Sequence, residues 1–360
     1  MLGLGLLLAV GARPQFIKAA PVSKALREAG HTEFLVHTGQ HYDYGMSQVF
    51  SDEMGIPEPD VNLGIGSGSH GWQTGQMLIH LEAAIQAQKP DAVLVYGDTN
   101  STLTGALAAV KLHLPLAHVE AGLRSFNREM PEEHNRVLTD HCADTAFCPT
   151  QTAVNNLARE SITRGVHLVG DTMYDAALQF ATIARQRSTI LQALGLEPKG
   201  YLLATVHRPY NTDVAENLRS ILTAFLEIKK PVIFPVHPRT RQKIGEFYAT
   251  LSLPRSGSSL KLIEPVGYLD MLVLEEHARL ILTDSGGMQK EAYFFGVPCI
   301  TLRPETEWTE TVEAGWNILT GAQSTAIHFA LRSLTLPDKR PPIFGSGTAA
   351  LEIVRVLSEG

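Results

Sequence analysis

Short apolar runs alternate with longer amphipathic stretches from one end of the 360-residue chain to the other, and no other feature constrains the fold as strongly. The first series of runs is Leu4–Val10, Glu33–His37, Ala92–Tyr96, Leu116–Val119, Thr145–Cys148 and Val166–Val169. The second is Tyr201–Thr205, Val232–Pro235, Leu260–Ile263, Leu280–Thr283, Cys299–Leu302 and Asn317–Leu319. Stretches with helical spacing lie between them, among them Pro14–Ala29, Gly75–Gln88 and Ser101–Leu112. Continuous apolar strands separated by helices predict parallel sheets covered on both faces. Two such series predict an α/β protein of two Rossmann-like, doubly wound domains, and the chain is long for a single core. A linker near Gly170–Thr172 leads into a long helix, Tyr174–Leu194, so the expected domains are residues 1–170 and 171–345. A last helical stretch, Thr348–Ser358 within 346–360, is expected to pack back on the first domain.

Composition narrows the partners. With 44% hydrophobic and 19% charged residues the chain reads as a well-packed soluble protein. A net charge of −7 argues against a nucleic-acid or anionic-membrane surface. Cys142, Cys148 and Cys299 form no CxxC and are too few for a disulfide framework, which fits a reducing cytoplasm. The opening MLGLGLLLAVGARPQ has no basic n-region and no small-residue cleavage site, so a first buried strand is expected there rather than a signal peptide. No other run approaches the ~18 apolar residues of a membrane span.

In open parallel sheets ligands sit beyond the carboxyl ends of the strands. In the first half those ends offer Arg13 and Lys18 in GARPQFIK, Gln40 and His41 in TGQHYD, Asp98 in GDTNST, and Glu120 and Arg124 in EAGLR. In the second half they offer His207 and Arg208, then His237 and Arg239, and then the glycine pair of LTDSGGMQKEA. Paired glycines between a strand and a helix let backbone N–H groups approach an anion at the positive helix end. The same sequence also fits a tight turn with Asp284 or Ser285 capping the helix. Single residues stay equally open. Asp98 suits an N-cap, Glu120 a surface turn, Glu132 or Glu133 of MPEEHNR a helix-dipole charge, and His207 a satisfied core position. What favours a site is how many polar residues fall at the same strand ends. The chain has no HExxH, no Cys/His ligand spacing, no DxD pair, no GxSxG elbow and no GxGxxG between strand and helix. Metal, serine-nucleophile and tightly held nicotinamide chemistry are therefore not expected.

The segments GARPQFIK, TGQHYD, YGDTNSTL, HVEAGLRSFNREMPEEHNR, TVHRPYN, LTDSGGMQKEA and ETEWTETVEAG span almost the whole chain. In that order they resemble the non-hydrolysing bacterial UDP-N-acetylglucosamine 2-epimerases. The resemblance implies the glycosyltransferase-B fold, two Rossmann-like domains facing a central cleft, and a homodimer acting on a UDP-sugar without metal or redox cofactor. Arg13, His207, Ser285, Gly286 and Gly287 match positions that hold the UDP diphosphate, His207 also serving its departure, and Glu291 matches the carboxylate that accepts from the ribose hydroxyls. Asp98, Glu120 and Glu132 match the acidic residues of proton transfer, and Lys18 and Arg136 match further active-site positions. The chemistry implied is anti-elimination of UDP to a 2-acetamidoglucal, then re-addition with a proton delivered to the other face of C2. It needs carboxylates as base and acid and cationic or N–H donors at the departing diphosphate.

Three positions depart from the family pattern. Tyr210 stands in HRPYN where a glutamate is common, and Trp308 stands in TEWTE for an arginine. Gln40 and His41 match an activator site for a second UDP-sugar, but Trp72 occupies the position of its arginine. The forms ETEW and GLRSFNREMPEE also occur in relatives acting on other UDP-2-acetamido sugars, including diacetamido uronic acids.

Overall fold

The computed structural model describes residues 3–39, 58–236, 240–245 and 259–359. The positions Gln40, His41, His237 and Arg239 lie outside the described residues, as does the side chain of Arg13. The chain divides into two compact units, residues 1–178 with 342–360, and residues 179–341.

The first unit holds a parallel sheet of β1 (Gly5–Val10), β2 (Thr32–His37), β3 (Val61–Asn62), β4 (Ala92–Tyr96), β5 (Leu116–Val119), β6 (Thr145–Cys148) and β7 (Val166–Leu168). Their spatial order is β3-β2-β1-β4-β5-β6-β7. The second unit holds β8 (Leu202–Thr205), β9 (Val232–Pro235), β10 (Leu260–Ile263), β11 (Leu280–Thr283), β12 (Cys299–Thr301) and β13 (Asn317–Leu319). Their order is β10-β9-β8-β11-β12-β13, again parallel throughout. Each sheet thus reverses its winding once, between β1 and β4 and between β8 and β11. Such reversal points are where the loops splay and a ligand can enter.

Successive strand residues point to opposite faces, and both faces are apolar, which is why the runs lack polar alternation. In the second unit Leu202, Ala204, Phe234 and Leu282 pack against Leu218, Ile221 and Phe225 on one side. Their neighbours Leu203, Ile233 and Ile281 pack against Leu274, Met288 and Ala292 on the other. In the first unit Leu7, Ala9, Val93 and Val95 pack against Leu81, Ile85, Ala106 and Ala109.

Helix boundaries differ from expectation where a side chain decides them. The helix expected from Gly75 begins at His70, because the Ser69 hydroxyl accepts the Trp72 N–H. The helix expected over Tyr174–Leu194 is two, Thr172–Arg187 and Ile190–Leu194. Ser188 breaks it by donating to Asp270 and accepting the Ile190 N–H at 3.2 Å. The division between units falls inside the first of these helices. Its opening turns stay with the first unit because the Asp171 N–H donates to Phe344 O and Asp175 accepts the Ala350 N–H at 2.8 Å. The closing helix, Ala349–Glu359, packs on Arg13–Glu28 of the same unit. Among the described residues no helix is long and apolar enough to cross a membrane.

Candidate active site

At the reversal point of the first sheet the chain leaves β1 through Gly11 and Ala12 and leaves β4 through Gly97 and Asp98. The N–H groups of Gly11 and Ala12 both donate to Gln15 Oε1, at 2.8 and 3.0 Å. Gln15 Nε2 in turn donates to Tyr96 O and Thr102 Oγ1. This turn is closed by its own helix and offers those two donors to no dinucleotide.

Lys18 and Glu120, both buried, form an ion pair beside Gly97. A Cβ on Gly97 would lie 3.1 Å from Lys18 Nζ and 3.3 Å from Glu120 Oε2, and its φ of +66° is left-handed, so glycine is what leaves room for the pair. Glu120 itself sits at φ +73°. A non-glycine residue there is strained and persists only where its surroundings hold it. The holding bonds are visible: the N–H groups of Glu120 and Ala121 both donate to Phe147 O at 3.1 Å.

Beneath this turn lies a buried polar stack. His118 meets Asp140 through Nδ1 and Gly97 O through Nε2, each at 2.7 Å. Asp140 also accepts from Gly122 N–H and from Arg124. Burial pushes the Asp140 carboxyl up, but His118 and Arg124 outweigh it and hold it below the usual carboxylate range. Arg124 forks the Glu160 carboxylate with both remaining nitrogens at 2.7 Å. This strand-end cation therefore serves internal pairing.

Asp98 is gripped from one turn of the helix Pro131–Cys142. Arg136 donates to Asp98 Oδ2 at 2.6 Å and to Glu133 Oε2 at 2.9 Å, while Asn135 donates to the Asp98 carbonyl at 2.9 Å. Asp98 is not the N-cap of the helix Asn100–Lys111; Thr99 fills that place, its N–H donating to Thr102 Oγ1. Glu132 is half-buried in the first turn of Pro131–Cys142, next to the fully committed Glu133.

The second reversal point is built differently. β11 is followed by Asp284, which is fully buried, and the chain leads through Ser285 into the helix Gly286–Phe294. Asp284 does not cap that helix. Its carboxylate accepts the N–H groups of His207 and Arg208 at 3.0–3.1 Å and the side-chain amide of Asn211 at 3.0 Å, all from the end of β8. Asn211 also donates to Leu302 O. The turn is thereby fixed while the His207 side chain stays half-exposed, not a core histidine. Ser285 is N-cap by position, but its side chain makes no capping bond, and the first-turn N–H groups lie at the positive end of the helix. A Cβ on Gly286 would stand 2.6 Å from Glu307 Oε1 and 3.3 Å from Trp308 Nε1. Five residues further on, Glu291 is buried and accepts the Tyr268 hydroxyl at 3.0 Å.

The structure thus joins Lys18 with Glu120 and Asp98 with Arg136 in one unit. In the other it sets Ser285, Gly286, Gly287 and Glu291 along one helix, with His207 at the adjacent strand end. Several pairings were not read from sequence: those of His118, Asp140 and Tyr268, that of Asn211 with Asp284, and that of Glu133, read only as a helix-dipole charge. One signal was available for two of them. Glu133, Arg136 and Asp140 fall at i, i+3 and i+7, a charged stripe on the buried face of a helix. Among the described residues no cluster of His, Cys, Asp and Glu could hold a metal ion.

A family model described as UDP-N-acetylglucosamine 2-epimerase matches residues 24–358. A Methanococcus maripaludis protein named UDP-N-acetylglucosamine 2-epimerase homolog is 54% identical over 350 residues, covering 97% of this chain and 98% of that protein. The UDP-2,3-diacetamido-2,3-dideoxy-D-glucuronate 2-epimerase of Pseudomonas aeruginosa is 49% identical over 361 residues, covering 97% and 98%. The crystal structure of Methanocaldococcus jannaschii UDP-GlcNAc 2-epimerase in complex with UDP-GlcNAc and UDP superposes with a TM-score of 0.91 at 46% identity, covering 99% of this chain and all of that one.

Proposed function

The chain belongs to the UDP-N-acetylglucosamine 2-epimerase family, and on that premise we propose that it reversibly epimerises UDP-N-acetylglucosamine to UDP-N-acetylmannosamine. The observation that carries the reading is the pair of strand-end carboxylates, Asp98 and Glu120, each locked to a cation at the first reversal point. Binding a nucleotide sugar would not need them.

The C2 proton of the sugar is not acidic, since no carbonyl adjoins C2. Elimination solves this: a carboxylate takes the C2 proton as the C1–O bond breaks, and the diphosphate leaves with the electron pair. For return, a diphosphate oxygen attacks C1 and an acid places a proton on the opposite face of C2. Asp98, Glu120 and Glu132 are the groups assigned to these transfers. The first-turn N–H groups of Gly286–Phe294, with His207 and Arg13, hold the departing diphosphate, and Glu291 takes the ribose hydroxyls. No redox step is involved. A cytoplasmic homodimer belongs to the same reading.

The test is incubation with UDP-N-acetylglucosamine in heavy water and identification of the products. Deuterium at C2 of intact UDP-sugar is the expected result. Free N-acetylmannosamine would instead mark a hydrolysing enzyme, and no product a UDP-sugar sensor.

A second reading has its own support. A relative named for a diacetamido uronate is 49% identical, slightly above the 46% of one named for UDP-N-acetylglucosamine. Parallel assays with both sugar nucleotides decide it: kcat/KM is expected to favour UDP-N-acetylglucosamine, and the opposite preference would overturn the substrate assignment.

A further inference from the structure

Glu133 has no part in the proton transfers proposed above, yet it is among the most heavily engaged carboxylates of the molecule. Oε2 accepts the Ser125 N–H and hydroxyl, both at 2.9 Å, and Oε1 accepts the Phe126 N–H at 2.9 Å. Oε2 also takes Arg136 at 2.9 Å. Burial pushes the Glu133 carboxyl up, but the Ser125 and Phe126 donors and Arg136 outweigh it and keep it ionised below the usual carboxylate range.

What it holds is a strained loop. Phe126 sits at φ +58°, left-handed for an aromatic residue, and is 70% exposed. At the other end of the same loop Glu120 sits at φ +73°. Neither conformation is favourable by itself, and strain of this kind lasts only where neighbouring bonds over-determine it. The Phe147 carbonyl secures the Glu120 end, and Glu133 secures the Phe126 end. The second arm of Glu133 runs through Arg136 to Asp98.

We propose that Glu133 is a positioning residue for the epimerisation: it ties the strained Glu120–Phe126 loop to Arg136, and through Arg136 fixes where Asp98 stands relative to Glu120. This rests on the assignment of Asp98 and Glu120 to proton transfer. Displacing a positioned group by about 1 Å costs on the order of a hundredfold in rate. Loosening the tether should accordingly slow chemistry without weakening nucleotide binding, because none of the groups assigned to UDP touches Glu133.

Glu133→Gln keeps the shape and removes the charge that anchors Arg136. Glu133→Asp keeps the charge and shortens the reach, and it decides the matter if the first variant does not fold. The expected result is a fall in kcat of roughly ten- to a hundredfold, with KM and the UDP dissociation constant within about twofold. The ratio of C2 deuterium wash-in between the two epimers should also change, because one carboxylate moves relative to the other. An unchanged kcat in a folded variant would overturn the proposal. So would parallel losses of kcat and UDP affinity with the wash-in ratio intact, the pattern of a purely structural role. Failure of the underlying reading looks different: wild-type protein would then place no deuterium at C2.

Discussion

The reversal point of the first sheet is furnished with charged side chains, whereas that of the second presents backbone. The winding is the same in both units, and the contents differ. In the first unit Lys18–Glu120 and Glu133–Arg136–Asp98 tie the helices Arg13–Glu28 and Pro131–Cys142 to the turns after β5 and β4. In the second a buried carboxylate, Asp284, is spent inward on the β8 turn, and Ser285 at the helix N-terminus makes no side-chain capping bond. The proposed function gives the charged pairs, with their ionisable oxygens held in fixed places, to proton transfer, and gives the bare N–H groups to anion binding. On that proposal a shared topology serves two unlike tasks, and the contrast can be broken experimentally.

The largest effect is expected from Asp98→Asn. It keeps the shape that Arg136 and Asn135 grip but removes the ionisable oxygen, so turnover should fall by about 10²–10⁴-fold with UDP binding intact by calorimetry. Near-normal turnover would remove Asp98 from the chemistry. Asp284→Ala should act on the other unit and on stability. It removes the buried acceptor of two backbone N–H groups and of one N–H of the buried Asn211 amide. Urea denaturation should register a loss of roughly 2–4 kcal/mol, and UDP affinity should drop with the His207 turn; a variant as stable as wild type would show that the turn holds itself.

Gly286→Ala sharpens the comparison with a smaller change. The new methyl would press against Glu307 Oε1 at 2.6 Å, and Glu307 is buried and paired with Arg303 at 3.1 Å. The helix end must shift, and UDP affinity should weaken by about tenfold, 1.4 kcal/mol, while uridine affinity stays. Equal loss for both ligands would place the glycine outside the diphosphate contact.

The smallest effect concerns pH. Burial raises the Asp175 carboxyl from 3.8 to about 6, only partly opposed by the N–H groups of Ala350 and Ala349 at the head of the closing helix. A raised carboxyl favours the folded state when protonated, so this contribution is present below pH 3.8 and is lost as pH rises through about 6. Stability of the first unit should decline across that window. Asp175→Asn should flatten the slope. An unaltered slope would assign it to other groups, Glu33 among them, whose carboxyl is also raised by burial.

Much of this architecture was readable because its signals are local. β4, β5, β6, β9, β10, β11 and β13 match the apolar runs residue for residue, since a strand buried on both faces has no room for polar alternation. β3, the pair Val61–Asn62, carries no run to read. The break at Ser188 depends on Asp270, 82 residues away. The site divides the same way. Ser285–Gly286–Gly287 announces itself because bare backbone requires glycine at a particular spot. Arg124 looked available at a strand end, yet its partners Asp140 and Glu160 lie 16 and 36 residues along the chain and no local pattern names them. Asp284 likewise read as a helix cap, and only the folded sheet sets it beside the β8 turn.

UDP affinity and C2 deuterium wash-in, measured side by side on Asp98→Asn and Gly286→Ala, test the division of labour most directly. Asp98→Asn should bind UDP as wild type does and lose wash-in. Gly286→Ala should bind UDP about tenfold more weakly and keep wash-in at saturating substrate. Loss of both properties in both variants, or normal wash-in in Asp98→Asn, would contradict a backbone-built diphosphate site in one unit and a carboxylate-built proton site in the other.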